Sequence, residues 1–230
     1  MHIERGSRII SIAAISGALF LFAGTYLHPM NADPNVPSAA FTEYAADHHW
    51  IASHLMQLLG IALMVAALVL LSRRMAGGPA DAAAILGTAG AVASLAVAAA
   101  LQAVDGVALK AMVNAWALAS GREKEVLFQA AFAVRQIEIG LASIASLLFG
   151  LTVSIYGIAL LTDPRFPKWL GFMAIAGGAP TAIAGIVIAY TGFSGLAMAI
   201  NMPAGSLLLF WMVALGIYVW KRRNVCEPNF

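Results

Sequence analysis

The sequence predicts an all-α membrane protein, a single domain formed by a polytopic bundle of six transmembrane helices with both termini in the cytoplasm. Three observations carry that prediction. Of 230 residues, 61% are hydrophobic and only 10% are charged, against roughly a quarter charged in an ordinary soluble domain. The apolar residues come in blocks long enough to cross a bilayer, which takes about 20 residues. The basic residues, finally, collect on one side if the chain crosses six times.

The apolar blocks are Ile9–Leu27, Ile51–Ser72, Ala82–Val104, Val134–Leu161, Trp169–Tyr190 and Gly205–Trp220. All are helix-forming, without the roughly ten-residue in/out alternation of membrane β-strands. Arg5 and Arg8 precede the first block, and Arg73 and Arg74 follow the second. Arg165 and Lys168 separate the fourth from the fifth, while Lys221, Arg222 and Arg223 follow the sixth. The other side carries Lys110, Arg122 and Lys124, diluted by Asp33, Glu43, Asp47, Asp105, Glu123 and Glu125. The positive-inside rule then places both termini in the cytoplasm, with the chain in the inner membrane. The first block is longer than the ~7–15 apolar residues of a signal peptide and no small-x-small site follows, so it reads as a retained span. Cys226 is the only cysteine, which excludes an intramolecular disulfide, a thiolate metal cluster and a redox thiol pair.

Two outer loops are elaborated, whereas the inner ones are minimal. His28–Asp47 opens with Pro29, Pro34 and Pro37. Ser38 is then placed to cap a short helix running through Phe41, Tyr44 and Asp47. Asp105–Ala133 extends the third helix through Trp116 before a break at Ser120-Gly121. Ser120 with Glu123 forms a capping-box pattern that restarts a helix into the fourth span. Length on the outer side points to it as the working side.

A weak internal repeat aligns Gly60–Ser72 with Gly150–Thr162, each followed by a short cytoplasmic turn. The third and fifth spans are rich in small residues, including Gly87, Gly90, Gly171, Gly177, Gly178 and Gly185. Such faces let helix backbones approach closely in lipid. Pro180 interrupts the hydrogen-bond ladder of the fifth span. A fourth span ending in a Gly-aliphatic run, a short turn containing Phe166-Pro167-Lys168-Trp169-Leu170-Gly171 and a Gly-rich fifth span form one continuous pattern. That pattern resembles a bacterial family of six-helix membrane proteins of unknown function. The matching stretch is Leu148–Gly178, including Gly150, Gly157, Pro167, Leu170, Gly171 and Gly177. The resemblance implies the fold and implies no activity, cofactor or catalytic residue.

Charged groups inside a span cost a few kcal/mol or more and mark functional or paired sites. Asp47, Trp50, His54 and Gln57 share one face of the second helix. Gln102 and Asp105 stand at the outer end of the third, and Arg135 and Glu138 a turn or so inside the outer end of the fourth. At ~1.5 Å rise per residue, His54, Gln102 and Glu138 reach similar depth in the outermost third of the bilayer.

This convergence predicts a polar pocket that binds, and acts by acid/base chemistry on, a small or lipid-like molecule. His54 would be the acid/base, Asp105 and Glu138 the carboxylates that tune or share its proton, and Arg135 an anion clamp, with Trp50, Gln57 and Gln102 lining the site. The bland reading is an Arg135–Glu138 structural ion pair with His54 and Gln57 as interhelical hydrogen-bonding glue.

A second reading is a metal or haem b redox site. His28, His49 and His54, with Asp47 or Glu138, offer imidazole and carboxylate ligands for zinc, copper or iron, and a bis-histidine haem would have to pair His28 with a second-span histidine. No His-x₃-His and no histidine beyond the second span supports it. A third is a non-catalytic subunit of a larger complex or a homo-oligomer, which the small-residue faces suit. Transport lacks charges near the middle of any span, and nucleic acid lacks a basic surface that topology does not already explain. Walker, nucleophile-elbow and dinucleotide motifs are absent.

Overall fold

The computed structural model describes residues 2–222, with side-chain surroundings from Gly6 onward; Arg223, Cys226 and the side chain of Arg5 lie outside the described residues. The described residues are mostly helical, and no strand occurs among them. The helices are α1 (His2–Leu27), α2 (Pro37–Ala46), α3 (Trp50–Met75), α4 (Asp81–Gln102), α5 (Lys110–Leu118), α6 (Gly121–Thr162), α7 (Lys168–Thr191) and α8 (Gly195–Arg222). A π-helical segment, Ala103–Leu109, joins α4 to α5 without a break.

Among the described residues, six runs are long and apolar enough to cross a membrane: α1, α3, α4 continued through α5, α6, α7 and α8. They bear the six spans read from the sequence. Side chains such as Ile12, Leu19, Phe22, Leu86, Ile158, Phe172 and Phe210 stand exposed around the bundle. An apolar perimeter of this kind suits acyl chains rather than water.

The helices overrun the apolar blocks. α6 has 42 residues, about 63 Å at ~1.5 Å per residue, roughly twice the bilayer's hydrocarbon core. Its first turns continue the fourth span beyond the apolar block, so much of Asp105–Ala133 is helix extension rather than loop. α8 begins ten residues before the block Gly205–Trp220. The capping details also differ from the sequence reading. α2 starts at Pro37 with Val36 as its N-cap and no side-chain cap, because proline's fixed φ suits the first helical position. Ser120 does precede α6 in an extended conformation, but its side chain makes no cap hydrogen bond.

Glycines set the closest helix crossings. A Cβ on Gly60 would fall 2.5 Å from the backbone nitrogen of Leu21, and one on Gly150 would fall 2.3 Å from that of Ala182. α3 therefore packs chiefly on α1, and α6 packs along α7. The two hairpins aligned by the internal repeat thus find their main partners differently. The larger apolar core lies toward the end of the bundle that carries the termini, around Leu68, Tyr156, Leu170 and Trp211. A smaller one, around Phe41, Tyr44, Trp50, Leu109 and Val113, closes the end that carries α2 and α5. It forms the floor on which the polar residues sit.

Candidate functional site

α3 enters the bundle through Trp50 and His54, one turn apart and both buried. The indole Nε1 of Trp50 donates to the backbone carbonyl of Asp105 at 3.0 Å, which ties α3 to the π-helical segment. Gly106 permits that approach, since a Cβ there would stand 2.6 Å from the Cβ of His54. A π-turn inserts a residue into the helical ladder and re-aims its neighbours, and such turns recur at functional sites. Here the segment carries the Asp105 carboxylate to His54, with Oδ2 3.0 Å from Nε2.

The tautomer of His54 follows from its other nitrogen. Nδ1 lies 2.6 Å from the carbonyl oxygen of Trp50, and a carbonyl only accepts. Nδ1 therefore carries a proton. In a neutral imidazole Nε2 is then a lone pair, directed at a carboxylate oxygen. Two lone pairs at that distance repel, so the contact needs a positive centre between them: a second proton or a cation. The second carboxylate oxygen, Oδ1 of Asp105, is buried without a hydrogen-bond partner.

His28 completes the group. It follows the last turn of α1, which runs antiparallel to α3, and its ring lies 4.7 Å from that of Trp50 and 5.1 Å from that of His54. Its Nδ1 donates to the carbonyl of Pro29 at 2.8 Å, so Nε2 holds the lone pair. Burial keeps the His28 imidazole below its ordinary value, against the pull of the Asp105 carboxylate and with help from His54. His28, His54 and Asp105 each offer one ligand atom, and these atoms lie within 4.8 Å of one another.

Arg135 and Glu138 pair with each other on α6, only 4% and 2% exposed. The guanidinium sits between the rings of Tyr44 at 5.5 Å and Phe193 at 5.1 Å. It also donates to the carbonyl of Pro34 at 3.4 Å, while its Nε is buried without a partner. Tyr44 links this pair to the histidines, with its ring 4.3 Å from Trp50 and 6.4 Å from His28. Burial pushes the Tyr44 phenol up to about 12, with Arg135 opposing and Glu138 and Asp105 adding to the rise. One layer deeper, Gln102 Nε2 donates to Gln57 Oε1 at 3.2 Å, and Gln102 Oε1 has no partner.

The structure thus gathers His54, Asp105, Trp50, Gln57 and Gln102 at the meeting of α3 and α4, with Arg135 and Glu138 across Tyr44. His49 and Asp47 sit apart from the three-ligand group. His49 is exposed at the start of α3, and its backbone N–H donates to Asp47 Oδ1 at 2.5 Å. In the sequence His28 stands as one of three candidate imidazole ligands, although its place before Pro29 favours an interfacial residue. Its one signal was position: the end of α1 must lie beside the start of α3 in an antiparallel hairpin.

Two open surface hollows lie away from this cluster. One of about 260 Å³ is lined by Trp116, Lys124, Glu125, Phe128 and Gln129. The other, of about 410 Å³, lies between α1 and α8. Fold and site together describe a multi-pass membrane protein with a buried histidine–aspartate cluster near one end. No family model, no curated protein and no solved structure matches the chain.

Proposed function

We propose that this chain is an integral protein of the inner membrane that holds a divalent transition-metal ion on His28, His54 and Asp105, near the outer face. The observation that carries the reading is the pair of pinned tautomers. Both histidines donate Nδ1–H to backbone carbonyls, the outer-shell arrangement that orients metal-ligating imidazoles and fixes Nε2 as the donor atom. Two imidazoles and a carboxylate, without thiolate, suit zinc or ferrous iron.

The dimensions are compatible. A tetrahedral site with bonds of ~2.0–2.1 Å has ligand–ligand edges of about 3.3–3.4 Å, close to the 3.0 Å between His54 and Asp105. Closing the His28 edge needs a movement of up to about 1.5 Å, within reach of a ring that follows the end of α1. A metal ion also needs no large cavity, which suits the close packing of the His28, His54 and Trp50 rings. Haem b fits less well: the His28 and His54 rings pack on each other and on Trp50, and a porphyrin would have to part them.

A proton shared by His54 and Asp105 also satisfies the 3.0 Å contact, and it supports acid/base chemistry with Arg135–Glu138 as neighbouring charges. Elemental analysis separates the two. Protein purified in detergent from metal-replete cells should contain close to one equivalent of zinc or iron. His54→Ala and Asp105→Asn should lose it, and His28→Ala should weaken it. A metal-free preparation that also fails to bind added Zn²⁺ in calorimetry would leave only the shared-proton reading.

A further inference from the structure

A second site lies at the opposite end of the bundle. The hollow between α1 and α8 has a volume of about 410 Å³ and is lined by Ser11, Ile12, Ile15, Leu19, Ile217 and Lys221, with Trp220 also on its wall. That volume falls within the ~300–1,000 Å³ of ligand pockets. The hollow opens onto the lipid-facing perimeter, where Ile12, Leu19 and Ile217 are exposed. Its occupant therefore arrives through the bilayer and not through water.

The chemistry of the wall changes along the bundle axis in a definite order. Lys221 stands at the mouth; exposed Arg222 follows it in sequence with its guanidinium over the Tyr218 ring, and Arg8 is exposed on α1 three residues before Ser11. Among the described residues, no acidic side chain lines the hollow. Trp220 stands beside Lys221, the position of an interfacial anchor at the headgroup level. Deeper in, α1 and α8 touch at Gly216, where a Cβ would meet the backbone oxygen of Ser11 at 3.1 Å. Five residues separate Gly216 from Lys221, which puts Ser11 about 7–8 Å below the lysine's backbone at ~1.5 Å per residue. The Ser11 hydroxyl is fully buried and has no hydrogen-bond partner, although a helical serine commonly donates to its own i−4 carbonyl. Below it, Ile12, Ile15 and Leu19 continue for about 12 Å of mostly apolar wall, interrupted by Ser16, whose hydroxyl donates to the carbonyl of Ile12 at 2.7 Å.

We propose that this hollow is a binding site for one anionic glycerophospholipid. The cationic mouth takes the phosphate, the orphaned Ser11 hydroxyl donates to an ester carbonyl of the glycerol backbone, and an acyl chain lies along Ile12, Ile15 and Leu19. Basic pockets between transmembrane helices recognise anionic headgroups in this way. The lipid also covers the seam between the first and last helices of the bundle, where α1 and α8 meet.

Native mass spectrometry of the full chain, delipidated in detergent and incubated with matched phosphatidylglycerol and phosphatidylcholine, tests the site. The expected result is one phosphatidylglycerol retained in preference to phosphatidylcholine. Lys221→Gln should reduce that preference roughly fivefold, the effect of one lysine beside an anionic surface. Ser11→Ala should lower retention of both lipids equally, and Leu19→Trp should abolish it by filling the apolar channel. Lys221 and Leu19 are exposed, so both variants should retain the wild-type elution volume and melting temperature. Equal retention of the two lipids, unchanged by Lys221→Gln, overturns the proposal. So does a stable dimer that buries Leu19 and survives saturating phosphatidylglycerol, because the hollow is then an interface between copies of the chain.

Discussion

His54 is held at both nitrogens, by the Trp50 carbonyl at 2.6 Å and by the Asp105 carboxylate at 3.0 Å, and Trp50 in turn donates to the backbone of Asp105. The three residues close a loop between α3 and the π-helical segment, so the geometry of the cluster depends on how near the two backbones lie. Gly106 sets that distance. Gly106→Ala would place a Cβ 2.6 Å from the His54 Cβ and force the segments apart, at a cost of about 1–3 kcal/mol. If the cluster holds metal, affinity should fall by about 10–100-fold, as when other supporting groups of metal ligands are disturbed. Zn²⁺ titration alongside thermal unfolding in detergent checks both effects. A variant with unchanged melting temperature and unchanged zinc affinity would remove Gly106 from this role.

Lys110 clamps the cover of the site. Its ammonium donates to the carbonyls of Tyr44 at 2.6 Å, Ala45 at 3.0 Å and Asp47 at 2.8 Å, which takes up the free carbonyls at the end of α2. Lys110→Met keeps the apolar stem but leaves those carbonyls without their donor. The expected loss is at least about 1.5–3 kcal/mol, the range for one hydrogen bond to a charged group. Limited proteolysis should register it first, as faster cleavage around His48 and His49 between α2 and α3, before global unfolding shifts.

The bundle was legible in the sequence because lipid imposes a simple rule: apolar runs of sufficient length must become spans. That His54, Asp105, Arg135 and Glu138 gather near one end of the bundle was legible for a related reason, since helical rise converts sequence position into height along the bundle. Lateral packing was not. Which helix faces which depends on glycine crossings such as Gly60 on Leu21 and Gly150 on Ala182, and small residues are too common in these spans to choose partners by pattern. His28 was undervalued for the same reason, because its role comes from the tight contact of α1 with α3. The π-helical turn at Asp105 has no compositional signature at all. It is stabilised by tertiary contacts, including the Trp50 hydrogen bond.

Membrane sidedness can be read directly. Asn35 and Arg122 lie at the end of the bundle that carries α2, and Ala76 lies in the turn between α3 and α4 at the other end. In a Cys226→Ser background, Asn35→Cys and Arg122→Cys should react in intact cells with a membrane-impermeant maleimide. Ala76→Cys should react only after permeabilisation. The reverse pattern would place the His28–His54–Asp105 cluster at the cytoplasmic face and contradict the basic-residue asymmetry that predicts the orientation.

The acid limit of the fold should be set in part at the turn between α6 and α7. Asp163 is buried there and accepts from the side chain and backbone of Arg165. The Arg165 side-chain hydrogen bond, foremost, holds the Asp163 carboxyl below its ordinary value of 3.8 even though burial pushes the other way. A carboxyl lowered in the folded state binds fewer protons there than in the unfolded chain. Its contribution is therefore complete above pH 3.8 and is lost as the pH falls through the lower, folded value. Arg165 is more than half exposed, so solvent screening limits the pair to no more than about 1 kcal/mol. Arg165→Ala should melt below the wild type at pH 7, with the difference shrinking as the pH drops under 3.8. A melting difference that stays constant from pH 7 to acid would show that Arg165 acts through the packing of its side-chain stem and not through the carboxylate.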